Sequence, residues 1–337
     1  MRLARWLVLF GMPVFALADD QTCASCHRDI VTRYRSAAMS QALVPASACE
    51  ILKRDPDLNF REPGYESRIR REGDRVVLTV AGGGEMLTAN LVWAFGRGQA
   101  GQTYVFERDG TWYESRISYF NALHALDLTM GAPRAQPKNI EDAAGHRMGM
   151  RDAMECFGCH ATGAAAGGRL HLDTMSPGVG CESCHGPAAR HAAAIRAGDA
   201  AGARMPKLGA APTEEISELC GRCHRTWSQI AANGPRGVLN VRFQPYRLTN
   251  SRCYSVTDAR IRCTACHDPH GPLETSAASY DSRCTACHSP KEAIKMCKVA
   301  NQGCVTCHMP KVELPGAHAR FTDHQIRIAR ASDPYPN

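Results

Sequence analysis

Two cysteines three positions apart, with a histidine directly after the second, recur seven times in this chain of 337 residues. The units are Cys23, Cys26, His27; Cys156, Cys159, His160; Cys181, Cys184, His185; Cys220, Cys223, His224; Cys263, Cys266, His267; Cys284, Cys287, His288; and Cys304, Cys307, His308. The spacing dictates a chemistry. Two thiols one helical turn apart add to the two vinyl groups on one edge of a haem, and the next histidine falls beneath the ring to ligate iron. Structural zinc needs paired Cys-x-x-Cys units but no following histidine, and a redox dithiol would occur once. The pattern therefore implies seven covalently attached haem c groups, held by 14 of the 17 cysteines.

Seven further histidines remain: His124, His146, His171, His191, His270, His318 and His324. An iron closed for electron transfer needs a sixth ligand, which histidine or methionine can supply. The candidates in motif-dense sequence are His191, six residues after His185, His270, three after His267, and His318 and His324 beyond the last motif. His124 lies in an apolar segment and reads as structural. The supply of ligands leads us to expect six or seven closed irons and at most one open.

The elements that must hold these groups are unevenly distributed. Residues 1–18 read as a secretory signal, with Arg2 and Arg5, an apolar run from Trp6 to Ala16, and a cleavage site at Ala16-Leu17-Ala18. That run is too short to span a bilayer, so no transmembrane anchor is expected and the mature chain should be periplasmic or otherwise exported. Between His27 and Cys156 lie 128 residues without a motif, whereas six motifs occupy the 153 residues from Cys156 to His308. Porphyrins must supply much of the buried apolar surface in so dense a region. Short helices and Gly/Pro-rich loops are expected there. In the gap, alternating runs at Arg75–Val80, Asn90–Phe95, Tyr104–Glu107 and Thr111–Ile117 predict an antiparallel β-unit, with Arg108-Asp-Gly110 marking a hairpin. This unit reads as a cover over the haem groups, or else as a docking surface or lid. The expected fold is a mainly α and irregular multihaem cytochrome c with a small inserted antiparallel β-unit. Its divisions are an N-terminal segment with the first motif (19–58), a β-rich insert (59–135) and a six-haem domain (136–337). The spare thiols Cys253 and Cys297 flank the last three motifs and could form a disulfide.

Cys156-Phe-Gly-Cys-His160-Ala-Thr-Gly163, then Gly178-Val-Gly-Cys-Glu-Ser-Cys-His-Gly-Pro187 and His191, resembles the cytochrome c-554 family of multihaem cytochromes. So do Tyr34 and Ser36-Ala-Ala-Met39 after the first motif, His267-Asp-Pro-His270, His308-Met-Pro-Lys311 and Phe321-Thr-Asp-His324. The resemblance implies an exported electron-transfer protein, distal-ligand roles for His191, His270 and His324, and a five-coordinate iron near His160. Seven motifs stand where the best-known member has four, and Met39 stands where the family usually has a histidine ligand. Met39 follows His27 by 12 residues, about 18 Å along one helix, so it cannot return to the iron that His27 holds. It either ligates another iron or packs against a porphyrin. Met39, His146 and His171 are the residues left to complete a ligand set.

Charge excludes one class of partner. The formal charge of +7 falls to +5 without Arg2 and Arg5. Two propionates per haem then bring the net to about −2 oxidised and about −9 reduced. A nucleic-acid partner has no support. Two functions remain. One is an electron carrier serving other exported redox proteins. The other is an oxidoreductase acting on a small nitrogen or sulfur compound at one open iron.

Overall fold

Alternation of apolar and polar side chains runs through nearly the whole motif-free gap, and the chain there folds as one nine-stranded antiparallel sheet. The computed structural model describes residues 20–289, 297–330 and 333–336; the signal read at 1–18 lies outside the described residues. The strands are β1 (Leu43–Pro45), β2 (Asp57–Glu62), β3 (Tyr65–Glu72), β4 (Arg75–Gly82), β5 (Glu85–Phe95), β6 (Gly101–Arg108), β7 (Thr111–Phe120), β8 (Ala125–Leu128) and β9 (Gly145–Arg147). Strands β2 to β8 are neighbours in chain order, with β1 added on β5 and β9 on β7. The end strands β2 and β8 meet, so the sheet curls into a nearly closed barrel.

This corrects the expected fold class. The protein is not mainly helical with a small β-unit, because the barrel runs from Leu43 to Arg147. Its size is hidden by charge. Asp57, Arg61, Glu66, Arg68 and Arg70 occupy exposed positions of β2 and β3, between buried Leu58, Ser67 and Ile69. Only one face of such strands is apolar, and the exposed charges also discourage edge-to-edge pairing.

The predicted hairpin between β6 and β7 is present. Asp109 and Gly110 form its two-residue loop, with φ of 51° and 71°, the pair of positive angles that matches the twist of the flanking strands. Inside the barrel, Ile69, Val76, Leu78, Val80, Phe106 and Ile117 are buried together. Cys49 is buried there too; its thiol donates to Gln102 Oε1 at 2.8 Å, and burial raises its pKa, which makes it an inert thiol. The seam between the ends of the sheet is closed by charge. Arg116 on β7 donates twice to the Glu62 carboxylate on β2, both at 2.8 Å, and once to the Ala135 carbonyl at 3.0 Å.

The motif-bearing regions are built from short helices. The longest are Asp20–Tyr34, Met150–His160 and Thr213–His224, and the first is kinked at His27. The largest apolar clusters lie in and against the barrel. The cluster of Val241, Leu314 and Ala317 beside the last motif is small.

The Arg116–Glu62 pair yields a stability prediction. Both side chains are under a tenth exposed. Arg116→Ala strands a buried carboxylate, so denaturant unfolding should show a loss of about 3–5 kcal/mol. Replacing both partners with apolar residues of similar volume should cost much less.

Candidate functional site

Each motif lies in or beside a helical turn, which puts the first and second cysteines on one face. Helix Met150–His160 shows the local logic. Asp152 accepts the Gly149 N–H at its start, Ala153 and Phe157 are buried four residues apart, and the last turn carries Cys156, Cys159 and His160. The chain then turns extended at Ala161.

The histidines from distant motifs and loops are brought together in pairs. His27 and His191 have ring centroids 6.5 Å apart and an interplanar angle of 21°. His185 and His270 stand 6.0 Å apart at 10°, and His267 and His324 stand 6.1 Å apart at 42°. An imidazole–metal bond runs about 2.0 Å, so two rings on opposite sides of one iron have centroids about 6 Å apart. Each pair joins a motif histidine to one outside the motifs. A porphyrin supplies four nitrogens, leaving two axial positions for the protein, and these pairs have the spacing to fill them. No group of three or more metal-ligating side chains converges among the described residues, as a zinc site would require.

Hydrogen bonds hold the rings in the tautomer that ligation needs. Nδ1–H donates to a carbonyl in His191 (Ala203, 2.6 Å), His324 (Thr322, 3.0 Å), His160 (Ala42, 2.8 Å) and His308 (Arg327, 2.8 Å). In His224 the partner is Gln244 Oε1 at 3.1 Å. Engaging Nδ1 leaves Nε2 free to bind a metal and raises its basicity.

The C-terminal segment is fixed by a buried cation. Arg247, fully buried, donates to both oxygens of Asp323 at 2.8 and 3.0 Å and to Gln325 Oε1 and the Pro336 carbonyl at 2.8 Å. Asp323 directly precedes His324. Burial pushes its carboxyl pKa up, but the Arg247 hydrogen bonds, the Gln325 N–H and the charges of Arg247 and Arg327 together hold it below the ordinary value.

Other candidates stand elsewhere. Met39 docks by its backbone, its carbonyl accepting the Val179 N–H at 3.0 Å, while His270 takes the position opposite His185. The Tyr34 hydroxyl donates to the Val179 carbonyl, so the N-terminal segment is tied beside the third motif. Gly178, at φ of 80°, is required there, because a Cβ would clash with the Ser40 carbonyl oxygen. His318 donates through Nε2 to Asp127 Oδ2 at 2.6 Å and packs on Phe120 of the barrel. His124 lies 3.5 Å from the Tyr119 hydroxyl, His146 lies 3.8 Å from Asp152, and His171 lies 3.3 Å from the Ala166 carbonyl. No second imidazole pairs with His160, His224 or His308 in this way among the described residues. Cys253 and Cys297 are both free and exposed, so the expected disulfide is not formed.

Attachment sites of different motifs adjoin. Cys23 and Cys181 lie within hydrogen-bond reach, as do Cys159 and Cys223, Cys220 and Cys263, and Cys284 and Cys304. These contacts join the first motif to the third, the second to the fourth, the fourth to the fifth, and the sixth to the seventh. A family model described as cytochrome c554 and c-prime matches residues 112–186, which contain the second and third motifs. That part of the chain is cytochrome c-554-like. Cytochrome c-554 of Nitrosomonas europaea is 32% identical over 80 residues, covering 21% of this chain and 34% of that protein. The chain therefore aligns with about a third of the length of this curated relative. No solved structure matches. The likeness and the motifs agree on the cofactor, covalent haem c. No helix among the described residues is long and apolar enough to cross a membrane.

The pairings predict distinct spectra. His270→Ala should convert one low-spin iron to high-spin in the electron paramagnetic resonance spectrum, whereas Met39→Ala should leave the count unchanged. Asp323→Ala, which strands the Arg247 cation, should cost about 3–5 kcal/mol and release the His324 ligand without disturbing the other two pairs.

Proposed function

We propose that this chain is an exported c-type cytochrome with seven haems that carries single electrons between other exported redox proteins. The observation that carries the reading is the set of three imidazole pairs at iron-spanning separation, each joining a motif histidine to a distant one. Haem c bound at the motifs would supply one-electron chemistry. The chain's own residues do the rest: fourteen motif cysteines anchor, the motif histidines hold one axial position, and His191, His270 and His324 hold the other at three sites. Adjoining thiols support the carrier reading further, since single-electron exchange needs closely spaced centres. Residues 1–18 would be removed on export. The β-rich part and the six-motif part would then act as one unit, since helix Met150–His160 packs into the barrel wall.

One observation favours a second role at a single site. His160 is walled by barrel aromatics and faces no second imidazole among the described residues. An iron held there with one open axial position could bind a small nitrogen or sulfur compound.

Two measurements test the carrier reading together. Intact-protein mass spectrometry of the matured protein should give residues 19–337 plus seven haems, and a coulometric titration should take up seven electrons per chain. A mass corresponding to four or five haems after correct maturation would refute the stoichiometry. A protein that accepts electrons but cannot pass them to an added cytochrome would refute the carrier role.

A further inference from the structure

The barrel meets the second motif through an aromatic wall. Phe157, fully buried on helix Met150–His160, has its ring 5.1 Å from Phe95, 6.5 Å from Trp93 and 5.9 Å from Trp112, each edge-on. The wall reaches the motif histidine itself. Phe95 lies 5.2 Å from the His160 ring at an interplanar angle of 69°, and His160 Nδ1–H donates to the Ala42 carbonyl. That carbonyl also accepts the Gly96 N–H at 2.7 Å. Leu43 pairs with Phe95 in the β1–β5 ladder, so the acceptor and the aromatic edge are held by adjoining residues of the same two strands. The sheet thereby fixes the imidazole twice: the carbonyl selects its tautomer and the phenyl edge limits its rotation.

We propose that Phe95, together with the Ala42 carbonyl, is a positioning device for the axial histidine of the second motif, so that the barrel sets the ring orientation and basicity of one ligand. The orientation of a ligand and the hydrogen bond on its far nitrogen tune a metal centre, and a site held by rigid strands is tuned more sharply than one on loops. The inference rests on the reading that His160 holds an iron with one open face. The barrel then holds the ligand of an iron that a small molecule could reach.

Resonance Raman spectroscopy of the reduced holoprotein separates this from a merely structural role. The wild type should show an iron–histidine stretching band from the His160 iron, the signature of a ferrous iron with a single axial histidine. Phe95→Leu should shift and broaden that band, and Phe95→Tyr, which keeps the aromatic edge, should restore it. Val105→Ala, in the same apolar cluster, should lower stability and leave the band in place. An unchanged band in Phe95→Leu, or an equal shift in Val105→Ala, overturns the proposal. Absence of the band in the wild type instead overturns the open-face reading. The variants are then compared by the g-values of the oxidised low-spin signals, which follow imidazole orientation, and identical g-values in Phe95→Leu overturn the positioning role.

Discussion

An iron in a porphyrin accepts axial donors only from opposite sides, and that constraint organises the motif-bearing part of this chain. The second donor must come from a remote segment, because a motif histidine cannot face itself. The three pairs interlock. His191 follows the third motif yet faces His27 of the first. His270 follows the fifth motif yet faces His185 of the third, and His324 from the C-terminal segment faces His267 of the fifth. Neighbouring residues on one loop thus belong to two different pairs. On the proposed function, segments without enough apolar surface to form a core would be tied together by coordination, much as small metal domains gain folding energy from metal binding.

The second organising element is the barrel, which has a conventional core. It is joined to the motif array at two places. Helix Met150–His160 packs into its wall through Phe157, and the hairpin of Lys311–Leu314 and Ala319–Thr322 reaches it through His318 and Asp127. The expectation of a cover over the haem groups understates this. The barrel supplies hydrogen-bond and aromatic contacts to one motif histidine, so its rigidity bears directly on the chemistry.

Much of the site was legible because the attachment chemistry is local. Thiols and histidine within five consecutive residues need no knowledge of the fold. His191, His270 and His324 were candidates by their positions in motif-dense sequence and by the family resemblance, and each ring lies 6.0–6.5 Å from that of a motif histidine. Met39 and His318 were proposed on the same grounds and stand elsewhere, because sequence distance does not say which face of a remote iron is already taken. His270 stands beside His185, Met39 docks by its backbone carbonyl, and Asp127 engages His318. The barrel was seen only through its most apolar strands. β2 and β3 alternate charge with buried residues, and β1 and β9 are three residues long, too short to show a period. The Arg247–Asp323 pair was invisible in sequence, since the two residues belong to unconnected segments and carry no motif.

Everything above depends most on the pairing of motif histidines with distant ones across iron. Anomalous diffraction at the iron edge from crystals of the matured protein tests it most directly. Iron peaks are expected midway between His27 and His191, between His185 and His270, and between His267 and His324, with both Nε2 atoms at bonding distance. An iron at any of these motif histidines whose opposite face is held by a different residue, or by solvent, would contradict the pairing.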